Sequence, residues 1–282
     1  MENKLLDGKL ISENIYVDLE KKVKDLNIVG KLQILMVGNN PSSEIYVRQK
    51  LKACERIGLK AKLDHLKNAN DVTTASLIAL IEKYNDDPEI TGIIVQLPLP
   101  EQIDKTKLIK AIDPMKDVDG LTPYNMGLTM LGEEFEYLTP CTATGVVKML
   151  EYYKIKIDGK KIAVIGQGKI AGKPIAIMLL NRGATVTSCN SKTPDISEFT
   201  KNADIVVVAA GKPNLITKEI VKKDAIIIDV GITKLENGKI SGDSDFNQLL
   251  SKVAMISPVP GGVGKMTVVC LMQNLVKASM KS

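Results

Sequence analysis

From residue 31 onward, short apolar runs alternate with stretches whose apolar residues recur at helical spacing, the pattern of βαβ units and a largely parallel sheet. Two series appear. The first predicts strands at Leu32–Val37, Leu59–Leu66 and Gly92–Gln96, with helices at Ser42–Ile57 and Val72–Tyr84 between them. Pro41 and Ser42 mark the start of one helix and Gly58 its end, while Asp71 is placed to cap the other. A turn-rich stretch from Asp113 to Pro140 follows, and then strands are predicted at Lys161–Ile165, Ala184–Ser188, Ile205–Ala209, Ala225–Val230 and Val253–Ile256. These are nearly continuous apolar runs, as expected where helices cover both faces of a parallel sheet. Met266–Met280 reads as an amphipathic helix that packs back on the first series, and no internal repeat is visible. Since a single core rarely grows much beyond about 250 residues, the 282 residues suit two modest domains, with the change near Thr139.

Composition narrows the chemistry. The chain is 44% hydrophobic and 25% charged, as in an ordinary globular protein. Its net charge of +5 comes without Trp and with only three Phe and seven Tyr, so the basic stripe and stacking aromatics of a nucleic-acid binder are missing. Cys54, Cys141, Cys189 and Cys270 are far apart and form no CxxC pair, which reads as buried reduced thiols rather than a disulfide framework or a metal site. The single His65 falls in an alternating strand and reads as half-exposed structure, so catalysis is expected to proceed without imidazole. Residues 1–16 lack the apolar core of a signal peptide, and no run approaches the 18 or more apolar residues of a membrane span. A cytoplasmic protein without membrane contact is expected.

Two stretches carry candidate chemistry. Lys161–Ile165 runs into Gly166-Gln167-Gly168 and on to Gly172, giving strand, glycine turn and helix. Such a turn lets backbone approach a pyrophosphate whose charge the helix start favours, although the GxGxxxG spacing also suits a purely structural turn. At the end of the next strand, where NAD enzymes commonly place an acid, the chain reads Ser188-Cys189-Asn190-Ser191-Lys192-Thr193. With no carboxylate and three donors for a 2′-phosphate, this loop points to NADP; a solvated polar loop reads the same. In the helix at 42–57, Val47, Leu51 and Cys54 share a stripe within about 40° of Val47, and Arg48, Lys52 and Arg56 project about 100° or more away. Lys50 does not: it lies about 60° from Val47, one turn from Tyr46, at the rim of the buried face. An ammonium that loses water sheds its charge more readily, which suits proton transfer, while a lysine snorkelling to solvent is the plain alternative.

Residues 41–59, 91–100 (TGIIVQLPLP), 113–127 (DPMKDVDGLTPYNMG), 140–145 (PCTATG) and 257–267 (SPVPGGVGKMT) together resemble the bifunctional methylenetetrahydrofolate dehydrogenase/methenyltetrahydrofolate cyclohydrolase family over nearly the whole chain. The resemblance implies an N-terminal α/β domain for folate and catalysis, residues 1–139 plus 263–282. It implies a Rossmann-like parallel-sheet domain for NAD(P) at 140–262, with the C-terminal helix returning to the first. Lys50 is then the general acid–base group of methenyl hydrolysis, with Gln96 holding its amine and Tyr46 walling the reacting carbon. Asp119 is the acceptor for the paired N–H donors of the pterin edge, and Pro260 and Gly261 lay backbone against the ring. Gly166, Gln167, Gly168, Gly172, Ser191 and Ile232 hold NADP, no metal is required, and a homodimer with the substrate between the domains is implied. Asp117 reads as a turn-stabilising carboxylate.

Four positions depart from the family pattern: Gln167 and Gly168 stand where Arg and Ser are usual, Asn190 where a His is, and Lys265 where a Pro is. The missing Arg removes an expected partner of the 2′-phosphate, so NAD stays open beside NADP. Two other readings stand alongside: a dehydrogenase of another small acid on the same fold, and a folate- or nucleotide-binding protein without chemistry.

Overall fold

A computed structural model describes residues 4–133, 137–235 and 238–281, and in it the chain divides into two compact units, Asn14–Cys141 with Val268–Ser282, and Met1–Glu13 with Thr142–Thr267. The N-terminal helix α1 (Gly8–Asp25) leads into β1 (Lys31–Val37), α2 (Pro41–Arg56), β2 (Lys60–Leu66), α3 (Thr74–Asp86), β3 (Gly92–Val95), α4 (Lys105–Ala111) and α5 (Pro123–Leu131). The three strands form a parallel sheet in the order β2-β1-β3. Central β1 is buried from Leu32 to Val37, whereas edge strand β2 is half-exposed along its length, because only one of its sides is covered by a neighbouring strand. His65 sits on that edge with Nε2 2.8 Å from Gly38 O.

Local punctuation explains the helices. Asn40 accepts from the backbone N–H groups of Ser42 and Ser43 and Pro41 opens α2, while Gly58, at φ +79°, follows its end. At α3 the cap differs from the sequence expectation. Thr73, not Asp71, forms a reciprocal capping box with Ser76, and Asp71 closes a short 3-10 turn before it. The stretch read as turn-rich holds α5, started by Thr122 and Pro123 and ended by Gly132 in the left-handed region. Its apolar residues gave no helical signal because Met130 and Leu131 are exposed.

The second unit carries α6 (Cys141–Tyr152, which begins in the first), β4 (Lys161–Ile165), α7 (Gly172–Leu180), β5 (Thr185–Cys189), α8 (Ser197–Thr200), β6 (Ile205–Val208), β7 (Ile226–Asp229), the short pair β8 (Thr233–Lys234) and β9 (Ile240–Ser241), α9 (Phe246–Leu249) and β10 (Met255–Ile256). Its five-stranded sheet is parallel in the order β10-β7-β6-β4-β5. β5 is the exception to the expected double covering: it lies at the edge, and only Cys189 is buried. Residues near the N-terminus belong here because Leu6 N–H donates to Ile256 O and Lys9 N–H to Gly261 O. The last helix, α10 (Val263–Ser279), joins the first unit from Val268 on, where Leu275 packs so closely that a Cβ at Gly92 would lie 2.8 Å from it. All four cysteines are buried, and none forms a disulfide. No helix among the described residues is long and apolar enough to cross a membrane.

Candidate active site and dinucleotide turn

In an open parallel sheet, ligands gather at the carboxyl ends of strands where the strand order reverses. In the first sheet that point lies between β1 and β3, and Gln96 follows β3 directly. Lys50, on the helix that leaves β1, is only 8% exposed and donates from Nζ to Gln96 Oε1 at 3.0 Å. The amide is oriented by its other end: Gln96 Nε2 donates to Leu97 O (2.7 Å), which leaves the oxygen for the lysine. Ser43 Oγ donates to the same Leu97 carbonyl (3.2 Å), tying the start of α2 to this loop.

The buried stripe of α2 differs from the one expected. It runs Ser43, Val47, Lys50, Cys54, with Leu51 only half-buried, while Arg48, Lys52 and Arg56 face outward as their angles require. Lys50 is thus inside the face rather than at its rim, because the Gln96 amide supplies the partner a buried amine needs. Tyr46 is half-buried one turn before it, and burial raises its hydroxyl pKa above the ordinary value.

Asp119 comes into this neighbourhood through a short parallel bridge, in which Ile93 N–H donates to Lys116 O (2.7 Å) and Asp117 lies beside Ile93. The two carboxylates that follow have different environments. Asp117 is 1% exposed and accepts from Gly120 N, Thr122 N and Asn125 Nδ2; burial raises its pKa and these donors oppose the rise. It is a turn-stabilising group. Asp119 is half-buried, and its carboxylate accepts no hydrogen bond among the described residues. The buried thiol of Cys141, raised mainly by desolvation, feels both the Asp119 carboxylate and, in the opposite sense, Lys50, so these groups share one locality.

In the second sheet the order reverses between β4 and β6, and the glycine turn leaves β4 there. Gly166 has φ +114°, and a Cβ on it would lie 2.2 Å from Ala209 O, so only glycine lets the two strand ends close. Gly172 packs against Gly166 O with the same exclusion of a side chain, whereas Gly168 faces open space. The nine-residue α7 follows Ala171, which gives no side-chain cap; Lys173 N–H already donates to Gly168 O (3.0 Å) and Pro174 carries none, so Gly172 N–H is the donor this helix start offers an anion. These features fit a pyrophosphate. Ser191 is exposed beside the turn, and exposed Ile232 follows Gly231, whose N–H donates to Asp229 Oδ1 (3.0 Å). Pro260 is exposed, and half-buried Gly261 has φ +118°; both belong to this second unit, whereas Tyr46, Lys50, Gln96 and Asp119 belong to the first.

Two departures from the family pattern turn out to be partners. Asn190 Nδ2 donates to Gln167 Oε1 (3.0 Å), and Gln167 Nε2 donates to Ser188 O (3.0 Å), bridging the glycine turn to the end of β5 with neutral amides.

Sequence reasoning missed a second network. Asp229, at the end of β7, accepts from the N–H groups of Gly231, Asp243 and Ser244, and Asp243 Oδ2 accepts from Ala210 and Gly211. Both are buried, and Asp229 is pushed up to about 6, first by desolvation against these donors, with the Asp243 carboxylate adding to it. An acid closing a buried apolar strand was the available signal.

This arrangement defines a class, that of dinucleotide-dependent oxidoreductases built from two α/β units. The family is narrower. Residues 6–119 match the model of the tetrahydrofolate dehydrogenase/cyclohydrolase catalytic domain and residues 140–282 that of its NAD(P)-binding domain, so the chain belongs to this family and is a bifunctional enzyme, a dehydrogenase and a cyclohydrolase of tetrahydrofolate derivatives. It is 47% identical over 278 residues to the bifunctional protein FolD of Campylobacter jejuni strain NCTC 11168, covering 98% of each chain. The crystal structure of a Campylobacter jejuni FolD methylenetetrahydrofolate dehydrogenase/cyclohydrolase superposes with a TM-score of 0.94 at 45% identity, again over 98% of both chains. A Trypanosoma brucei enzyme of the same description, complexed with NADP and an inhibitor, gives 0.93 at 36% identity over 98% of this chain and 97% of its own.

Proposed function

We propose that the chain oxidises 5,10-methylenetetrahydrofolate with NADP and hydrolyses the resulting methenyl cation to 10-formyltetrahydrofolate with Lys50 as the acid–base group. The observation that carries the roles is the buried Lys50–Gln96 hydrogen bond. Bound NADP supplies the hydride acceptor. Gly166, Gln167, Gly168 and Gly172 cradle its phosphates, with Ser191 and Ile232 alongside, and the neutral bridge at Gln167 leaves NAD as a weaker alternative.

Hydride loss places a positive charge on a carbon shared with two nitrogens, so that step asks of the protein mainly positioning. Hydrolysis asks for a base. With one N–H given to Gln96 Oε1, the neutral amine of Lys50 directs its lone pair at the attacking water and takes its proton as the C–O bond forms. When the carbon–N5 bond breaks, that proton passes from Lys50 to N5, the hydroxyl left on carbon gives its own proton to the freed amine and on to solvent as C=O forms, and the formyl group remains on N10, with one proton released per turnover. The adjacent substrate cation disfavours the ammonium and so favours the basic form. Tyr46 walls the reacting carbon with its ring and keeps a protonated hydroxyl there.

Asp119, with free acceptor oxygens, pairs with the N–H donors of the pterin edge. Folate and catalysis fall to the unit that carries Lys50 and Asp119, and the dinucleotide to the unit with the glycine turn. A homodimer in the cytoplasm completes the reading, on family resemblance.

The test is steady-state assay of the purified chain, following reduced NADP with methylenetetrahydrofolate and, separately, loss of the methenyl chromophore. Both activities are expected. Reduction of NADP by another small acid, with none by the folate, would overturn the reading, as would binding of both ligands without turnover.

A further inference from the structure

We infer that Asn274 is a positioning residue for Asp119, so that the last helix, 156 residues beyond Val118 at this residue, sets how tightly the site grips the donor edge of a pterin. The inference rests on the proposed role of Asp119 and extends it to a residue outside every motif.

Asparagine is a poor helix former, and burying its amide is costly unless both ends find partners. Asn274 lies in α10 and is 7% exposed. Its Nδ2 has two hydrogens and meets two carbonyls, Val118 O at 2.9 Å and Thr139 O at 2.8 Å, with Cys141 Sγ at 3.4 Å. Both carbonyls bear on Asp119. Val118 precedes it directly, and the Thr139 carbonyl carbon lies 2.3 Å from where a Cβ on Gly120 would stand, so the 139–140 backbone presses on the residue that follows it.

Other groups of the turn are held as well. Cys141 Sγ donates to Val118 O (3.2 Å), Cys141 N–H donates to Asp119 O (3.3 Å), and Gly120 N–H donates to Asp117 O and Oδ1 (both 3.0 Å). The backbone on both sides of Asp119 is therefore anchored, while its carboxylate stays uncommitted. This is the arrangement a preorganised acceptor needs: the ordering is done before the ligand arrives, so binding does not have to supply it. Asn274 donates to both carbonyls from a single amide. Without it, Val118 O keeps only the weaker Cys141 thiol donor and Thr139 O loses this amide, the turn relaxes, and the carboxylate spreads over orientations that do not match the pterin.

The experiment is a double-mutant cycle read by calorimetric binding of tetrahydrofolate, with NADP binding and thermal melting measured on the same samples. Asn274→Leu, close to isosteric, is expected to weaken tetrahydrofolate binding about tenfold. It should also raise the folate KM with little change in kcat, and leave NADP affinity as in wild type. In the Asp119→Ala background the same substitution should add nothing. Equal weakening in both backgrounds would make Asn274 a general structural support and overturn the inference, and so would wild-type binding by Asn274→Leu beside a weakened Asp119→Ala. Wild-type binding by Asp119→Ala would remove the role of Asp119 itself, and the inference with it. Asn274→Ser, which keeps one donor, carries the same cycle with a smaller expected loss should the leucine variant not fold.

Discussion

Lys50 Nζ and Gln96 Oε1 stand 3.0 Å apart and buried, although 46 residues separate them along the chain. The contact joins the helix after β1 to the end of β3 at the reversal point of the first sheet. It places a titratable amine inside protein, held by a neutral acceptor. A neutral acceptor satisfies the amine without locking it as an ammonium, which a carboxylate at the same place would do.

Lys50→Met keeps the apolar stem and deletes the nitrogen. The cyclohydrolase rate is expected to fall by about a hundredfold or more, while hydride transfer stays measurable because that step uses no base. Separate assays of the two half-reactions check this, and wild-type hydrolysis by the variant would exclude Lys50 as the proton carrier.

Gln96→Glu puts a negative charge against the amine and favours its protonated form. The hydrolysis rate at neutral pH is expected to fall by about tenfold or more, with hydride transfer less affected. Equal losses in both half-reactions would mean that Gln96 serves only to hold the loop through Leu97.

The amide bridge between Gln167 and Asn190 presents neither a carboxylate to a ribose hydroxyl nor a guanidinium to a 2′-phosphate. Gln167→Arg is expected to raise the ratio of NADP to NAD affinity by about tenfold or more, since a charge-assisted contact to phosphate is among the stronger hydrogen bonds. Calorimetry with the two nucleotides reads the ratio directly, and an unchanged ratio would place position 167 away from the 2′ group.

Asp229 yields a prediction about stability. Folded, it titrates near 6 against an ordinary value of 3.8, so between those values the folded chain holds a proton that the unfolded chain has lost. Its stabilising contribution is complete below about pH 4 and is lost as pH rises through about 6, a change on the order of 3 kcal/mol. Denaturant unfolding of wild type and Asp229→Asn from pH 4 to pH 7 should show the difference between them shifting toward the variant by this order. A constant difference across the range would show that Asp229 is ionised throughout.

Most of the architecture was legible in the chain. The strands of the two parallel sheets came from apolar or alternating runs, the glycine turn from its own residues, and the start of α2 from Pro41 and its neighbours, because each signal lies within a turn or two of backbone, whereas the two-residue strands β8 and β9 were not read. The α3 cap slipped by two residues to Thr73 since several polar residues there compete, and α5 escaped notice because its apolar residues face outward.

The site divides along the same line. The sequence by itself determined which residue types are present: a lysine one turn from a tyrosine, a glutamine after a buried strand, an acid before a glycine. Only the tertiary structure decided that Lys50 belongs to the buried stripe in preference to Leu51, that Gln167 and Asn190 are partners, and that Asn274 reaches Val118 and Thr139 across 156 and 135 residues. Periodicity and turn chemistry are local properties of the backbone. Which donor meets which acceptor depends on strand order and on the return of the last helix, and these are settled only when the whole chain packs.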